Sequence, residues 1–196
     1  MISIEESEGI VKRTKPRHYL KEMREYFIDA LILDAENAGD FDRLIYLYTP
    51  TLGKVAAKAK SIRKITSKLA GHLEPLSISK IRLVEKNGIQ ITDAILVRQI
   101  EKSPAALQLL QFIKEMTYEF QPDKKLWLIL KKSFEDLKNK SFSYKPLLKA
   151  LGFAPDFAEC SVCKNKMVKF FSPKEQVFLC QKCGLKITKD EVVLIE

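Results

Sequence analysis

The sequence predicts an α+β protein of three consecutive parts: a small β-barrel, a short helical segment and a four-cysteine ribbon. Three observations carry this. Between residues 26 and 99, short β-prone runs alternate with turn signals. Beyond about residue 103 the apolar spacing changes from two to about 3.6. All four cysteines fall in two Cys-x-x-Cys pairs, Cys160/Cys163 and Cys180/Cys183.

The elements follow in order. Residues 1–25 are expected to be an N-terminal extension, with Arg13, Lys15 and Arg17 beside Pro16 reading as a tail. Its opening, Met1–Gly9, is acidic and lacks an apolar core, which predicts no signal peptide and a cytoplasmic, reducing compartment. No run approaches the roughly 20 apolar residues of a membrane span. Tyr26–Leu33 (YFIDALIL) is an apolar strand, followed by a polar turn region from Asp34 to Asp42 that contains Gly39. Arg43–Thr49 is β-branched and aromatic, and Thr49-Pro50-Thr51-Leu52-Gly53 is turn chemistry leading into a third strand. In that strand Val55, Ala57 and Ala59 alternate with lysines, so one face packs and the other points outward. Two further strands, near Leu76–Glu85 and Ile89–Val97, are joined through Asn87-Gly88, a strong hairpin signal. Five short antiparallel strands over 26–99 predict an OB-fold barrel, which presents a strand face and loops to oligonucleotides.

The helical domain is expected over 100–158, together with 185–196. Ser103-Pro104 reads as an N-cap followed by proline at the first helical position, and Leu109, Phe112, Ile113, Met116 and Phe120 form an apolar stripe. Asp123 caps a second helix in which Trp127, Leu130, Phe134 and Leu137 share a face opposite Lys125 and Lys132. These stripes read as core, with a partner-binding groove as the alternative. A third helix near Lys145–Leu151 is stopped by Gly152 and Pro155.

The zinc module spans 159–184. Four thiolates in two Cys-x-x-Cys turns match one tetrahedral structural zinc site, with Cys160, Cys163, Cys180 and Cys183 as ligands. The 16 intervening residues hold two short β runs, Val168–Phe171 and Gln176–Leu179, around a Ser-Pro-Lys-Glu turn. Gly184 follows the last ligand, where a metal knuckle often needs positive φ. Paired disulfides and a redox-active dithiol are the competing readings; the second would require a βαβ setting that the surrounding residues lack.

Charge narrows the partner. The chain carries 34 basic against 25 acidic residues, net +9, which favours a polyanion. The excess is spread along the chain with one exception: Lys54, Lys58, Lys60, Arg63, Lys64 and Lys68 follow one another with no acidic residue from 54 to 73. A solvated strand face is the bland reading of this run; phosphate contact is the functional one.

The order of parts resembles the RecO family of bacterial recombination mediators and DNA repair proteins. The stretches that carry the likeness are YFIDALIL, YLYTPTLGKVAAKAKSIRK, Leu73-Glu74-Pro75 and LLKALGFAPDFAECSVC, over about residues 26–184. The resemblance implies a non-enzymatic protein that binds single- and double-stranded DNA and promotes strand annealing. It also implies work with RecR and the single-strand-binding protein to load RecA. By position it implies DNA contact through Lys54–Lys68 with Arg43 as a neighbour, a zinc ion on the four cysteines, and a nucleoid-associated location. Two departures stand out: Ser61 occupies a position where the family commonly has glycine, and the chain ends twelve residues after Gly184 where relatives continue with helices, so a reduced helical domain or an incomplete chain is expected.

Catalysis has no support in the residues. His18 and His72 lie far in sequence from the cysteines and from any nucleophile set, and Glu5-Glu6 and Glu135-Asp136 read as solvated surface. The alternative functions are an RNA-binding OB and zinc-ribbon protein of the transcription or translation machinery, and a thiol-active enzyme.

Overall fold

The computed structural model describes residues 23–188 and 191–195. Five strands, β1 (Arg24–Asn37), β2 (Arg43–Thr49), β3 (Gly53–Ala59), β4 (Ser77–Glu85) and β5 (Ile89–Gln99), close into a barrel in the order β1-β2-β3-β5-β4. The closing pair is parallel: Lys58 and Ala59 of β3 face Gln90 and Ile91 of β5. The expectation of a wholly antiparallel sheet is corrected at this seam. Local turn signals cannot encode a pairing between strands that are not consecutive, and closure requires it. The OB-fold expectation holds.

β1 is longer than its apolar run. It continues to Asn37 because Asp34, Ala35, Glu36 and Asn37 stay in ladder register with Tyr46, Ile45, Leu44 and Arg43 after a bulge between Ile32 and Asp34. A polar segment thus remains strand where the neighbouring strand supplies its hydrogen bonds. The near-continuous YFIDALIL pattern reflects burial on both faces. Ala30 and Ile32 point into the barrel with Ile45, Leu47, Val55, Ala57 and Leu83. Leu31 and Leu33 point outward, into a core shared with the helices.

Helix α1 (Pro104–Met116) starts as expected, with Ser103 Oγ accepting from the Ala106 amide at 3.2 Å. It stops sooner: Thr117 is extended and its hydroxyl donates to Ile113 O at 2.6 Å. Phe120, expected on the apolar stripe, lies beyond the helix, exposed and in the left-handed region at φ 55°. Helix α2 (Lys124–Lys138) is capped by Asp123, whose carboxylate accepts from the Lys125 and Leu126 amides. It buries Leu126, Trp127, Leu130 and Phe134. The short α3 (Lys145–Ala150) ends at Gly152, whose φ of 89° suits glycine.

The ribbon comprises β6 (Val168–Ser172), β7 (Val177–Cys180), a single turn α4 (Gln181–Gly184) and β8 (Val193–Leu194), which pairs with β6. Phe171 ties the ribbon to the helices, with ring centroids 4.9 Å from Phe153 and 6.4 Å from Phe112. Val193 and Ile195 are buried in the same core.

The β2–β3 turn abuts the segment after α1. Gly53 has φ 71°, and a Cβ there would collide with the backbone of Gln121. Replacing Gly53 with alanine adds left-handed strain to that collision and is expected to destabilise the protein by about 2–4 kcal/mol in urea unfolding. A loss below about 0.5 kcal/mol would show that this contact yields freely.

Candidate nucleic-acid interface and metal centre

Ala59, at the end of β3, pairs with Arg43 on one side and Ile91 on the other. The starts of β2 and β5 and the end of β3 therefore meet, and two loops leave the Ala59 end of β3: residues 38–42 and the segment from Lys60. The two are joined by hydrogen bonds. Ser61 N donates to Asp42 Oδ1 at 2.8 Å, Arg63 N to Phe41 O at 3.0 Å, and the Arg63 guanidinium to Gly39 O at 3.4 Å. Ser61 takes φ 54° to make this turn, a conformation that glycine reaches without cost.

The basic run is sorted by this geometry. Lys60, Arg63, Lys64 and Lys68 are exposed on the loop that leaves β3 and form no ion pair among the described residues. Lys58 is partly engaged: its ammonium lies 2.9 Å from Asp42, whose carboxyl is held below its usual range by the Ser61 amide and then by Lys58. Arg43 is half-buried and pairs with Glu74 at 3.0 Å. Lys54 sits at the other end of β3, about 20 Å from Lys60 at the rise of an extended strand. Its ammonium donates to Lys114 O at 2.8 Å, near the C-terminal end of α1. Burial there lowers its pKa, which the Glu119 carboxylate partly offsets. The structure thus brings Arg43, Lys58, Lys60, Arg63, Lys64 and Lys68 together and separates Lys54 from them.

Lys86 is exposed on the 86–88 loop, but the parallel pairing of Lys58 with Gln90 places it toward the Lys54 end of β3. One residue at the loop end escaped the sequence reading. Phe41 is 52% exposed on the 38–42 loop, with Lys64 Nζ 5.4 Å from its ring centroid. An aromatic among Asp40 and Asp42 gave no charge signal. His72 serves structure, its Nδ1 accepting from the Leu96 amide at 3.3 Å. His18 lies outside the described residues.

The metal centre is built by two turns. The first is closed by Lys164 N donating to Cys160 O at 2.9 Å and Cys160 N to Asn165 O at 2.8 Å. In the second, Cys180 ends β7 and Cys183 lies in α4. The four sulfurs converge within 4.8 Å of one another, Cys163 and Cys180 being 3.6 Å apart. A tetrahedral site with metal–sulfur bonds of about 2.3 Å has sulfurs about 3.8 Å apart, so the donor set fits one thiophilic ion. The crowding also divides the thiols. Burial would raise Cys160, yet backbone amides of Cys180, Cys163 and Val162 hold it low, at about 6. Cys183 is pushed up to about 12, first by burial and then by its sulfur neighbours. Four mutually repelling sulfurs call for a cation.

Gly184 plays another part than expected. Positive φ falls at Lys164 after the first pair, at 60°, whereas Gly184 is helical and lies against the Phe170 ring, leaving no room for a Cβ.

A closed five-stranded OB barrel, a helical core and a four-thiolate ribbon together define an OB-fold protein with a metal-binding module and an exposed basic loop at the end of β3. No helix among the described residues is long and apolar enough to cross a membrane. Residues 23–101 match the family described as Recombination protein O N terminal, and residues 97–193 match Recombination protein O C terminal. The DNA repair protein RecO of Dehalococcoides mccartyi (strain BAV1) is 31% identical over 172 residues, covering 79% of this chain and 68% of the relative. That of Myxococcus xanthus is 27% identical over 190 residues, covering 87% and 78%. The chain belongs to the RecO family of DNA repair proteins.

Replacing Cys180 with serine is expected to abolish stoichiometric metal, read as metal per chain by elemental analysis, and to unfold the ribbon. In modules of this size, metal binding supplies about 10 kcal/mol or more of folding free energy. Retention of one ion per chain would rule out four-sulfur ligation. Gly184→Ala keeps all ligands and is expected to accelerate metal loss to a chelator, because Phe170 must move.

Proposed function

We propose that this protein is a DNA-binding recombination mediator without enzymatic activity. In this reading it binds single- and double-stranded DNA through the loop end of the barrel and promotes annealing of complementary strands. It works with RecR and the single-strand-binding protein to load RecA, in the bacterial cytoplasm at the nucleoid. One structural zinc on Cys160, Cys163, Cys180 and Cys183 holds the ribbon against the helices. The observation that carries the reading is the run of Lys60, Arg63, Lys64 and Lys68 on the loop that leaves β3 of an OB barrel, all exposed and none in an ion pair among the described residues. Arg43 and Lys58 border them.

Lysines on mobile stems suit contacts to many phosphates without reading sequence. Annealing requires that contact pattern, because a protein that grips bases by sequence would obstruct pairing. Each phosphate neutralised releases counterions, so binding through this loop has a measurable salt signature.

Replacing Lys60, Arg63 and Lys64 together with alanine is expected to lower the slope of log K against log salt by about 2 for single strands, at about 0.7 per contact. Annealing of complementary oligonucleotides, with and without single-strand-binding protein, should fall in parallel. Lys54→Ala serves as the contrast: it should weaken the joint between barrel and α1, seen as a lower unfolding midpoint, and leave the salt slope unchanged. An unchanged slope in the triple variant would remove this loop from the DNA surface. A reduced slope in Lys54→Ala would place DNA at the opposite end of β3.

A further inference from the structure

We infer that Phe41 forms a base-stacking subsite for single-stranded nucleic acid at the loop end of the barrel. The inference rests on the DNA-binding reading above and adds a contact that charge alone does not supply. Phe41 is 52% exposed, although the barrel interior of Ile32, Ile45, Val55 and Leu83 is closed without it. Its position is nonetheless set. Phe41 O accepts from Arg63 N at 3.0 Å, and the flanking Asp42 accepts from Ser61 N and pairs with Lys58. Ala38 N donates to Asp42 O at 3.0 Å, closing the base of the loop. An aromatic ring held on an ordered loop, with much of its surface open, is a preorganised platform rather than a trailing side chain.

Its surroundings select the ligand. Lys64 Nζ lies 5.4 Å from the ring centroid, and Arg63, Lys60 and Lys68 stand on the same loop. These cations hold a phosphate backbone near the ring. The two nearest carboxylates, Asp40 and Asp42, repel phosphate from the ring's own loop, so a neutral base face is the group that fits over Phe41. Ile65, fully exposed on the loop that carries the cations, adds apolar surface at this end. Stacking of a base on an aromatic side chain is sequence-tolerant, because every base has a π-face, and it is denied to bases already paired in a duplex. The platform therefore favours unpaired over paired nucleic acid at an end where lysines bind both.

The test compares wild type, Phe41→Ala, Phe41→Leu and Phe41→Trp by fluorescence anisotropy. Three probes serve: a single-stranded oligonucleotide, the same length of abasic strand, and a blunt duplex. On the single strand, Phe41→Ala and Phe41→Leu are expected to lose about tenfold in affinity with an unchanged salt slope, and Phe41→Trp to restore it. On the abasic strand and the duplex all four proteins should bind alike. The indole of Phe41→Trp should be quenched by the normal strand and not by the abasic one, against a Trp127 that is buried. Thermal unfolding of Phe41→Leu, which keeps the apolar contact, separates stacking from loop packing. Equal affinity of wild type and Phe41→Ala for the single strand, or an equal loss on the abasic strand, would overturn the subsite while leaving the lysine surface standing. Wild type that binds none of the three probes would overturn the DNA reading and the subsite together.

Discussion

The β2–β3 hairpin is gripped at one end and free at the other, and the arrangement of the rest follows from that asymmetry. At its turn, Gly53 lies against the backbone of Gln121, Lys54 O accepts from Phe120 N at 3.1 Å, and the Lys54 ammonium reaches Lys114 O. Tyr48 adds a ring stacked 6.4 Å from Trp127 and a hydroxyl donating to Asp123 O. Main-chain contact at such close range is possible only because residue 53 has no side chain. With the turn locked to the helical core, the opposite end of the hairpin projects its loops away from it. Lys60, Arg63, Lys64 and Lys68, all exposed, follow that projecting end.

Burial on two faces extends the same logic to the whole chain. A barrel strand ordinarily shows one face to solvent, but β1 gives Ala30 and Ile32 to the barrel and Leu31 and Leu33 to the helices. One core then runs without interruption from Tyr48 and Ile78 through Phe112 and Leu130 to Phe171 and Val193 in the ribbon. Fixing the metal turns consequently stabilises more than the ribbon, since Phe171 is packed between Phe112 and Phe153. The Asp34–Lys114 pair crosses the same seam at 2.5 Å, with Lys114 also 5.0 Å from the Tyr46 ring. Part-exposed, it contributes little energy, and its value is in orientation.

Much of this was legible in residue order because local physics dictated it. The Ser103 and Asp123 caps, the alternation of Val55, Ala57 and Ala59, the Asn87-Gly88 turn and the four metal-ligand cysteines are each determined within a few residues. What was illegible depended on partners distant in sequence. The parallel β3–β5 seam closes the barrel and could not be inferred from either strand alone. Phe120 has an apolar side chain at helical spacing, yet its amide is taken by Lys54 O, so the spacing misleads. Gly184 was correctly singled out for the wrong physical reason: the constraint is the Phe170 ring, not the backbone angle. Ser61 is the converse: standing where glycine was the expected residue, it nonetheless adopts φ 54°, with its amide donating to Asp42.

An unbroken run of basic residues thus overstated the size of one surface and concealed a second role. Along the chain Lys54 and Lys60 belong to one patch, but on a strand that separation is a distance of about 20 Å. The first lysine faces helix carbonyls, where its charge complements the negative end of the α1 dipole. The later ones face solvent, where a fold gains nothing from cations crowded on one loop and loses some stability to their repulsion. Asp42 and Glu74 relieve part of that repulsion by pairing with Lys58 and Arg43, which leaves the outermost four of the run without an ion pair among the described residues. A surface whose inner cations are paired and outer ones are not has its charge directed outward, which is the arrangement on which the proposed phosphate contact rests.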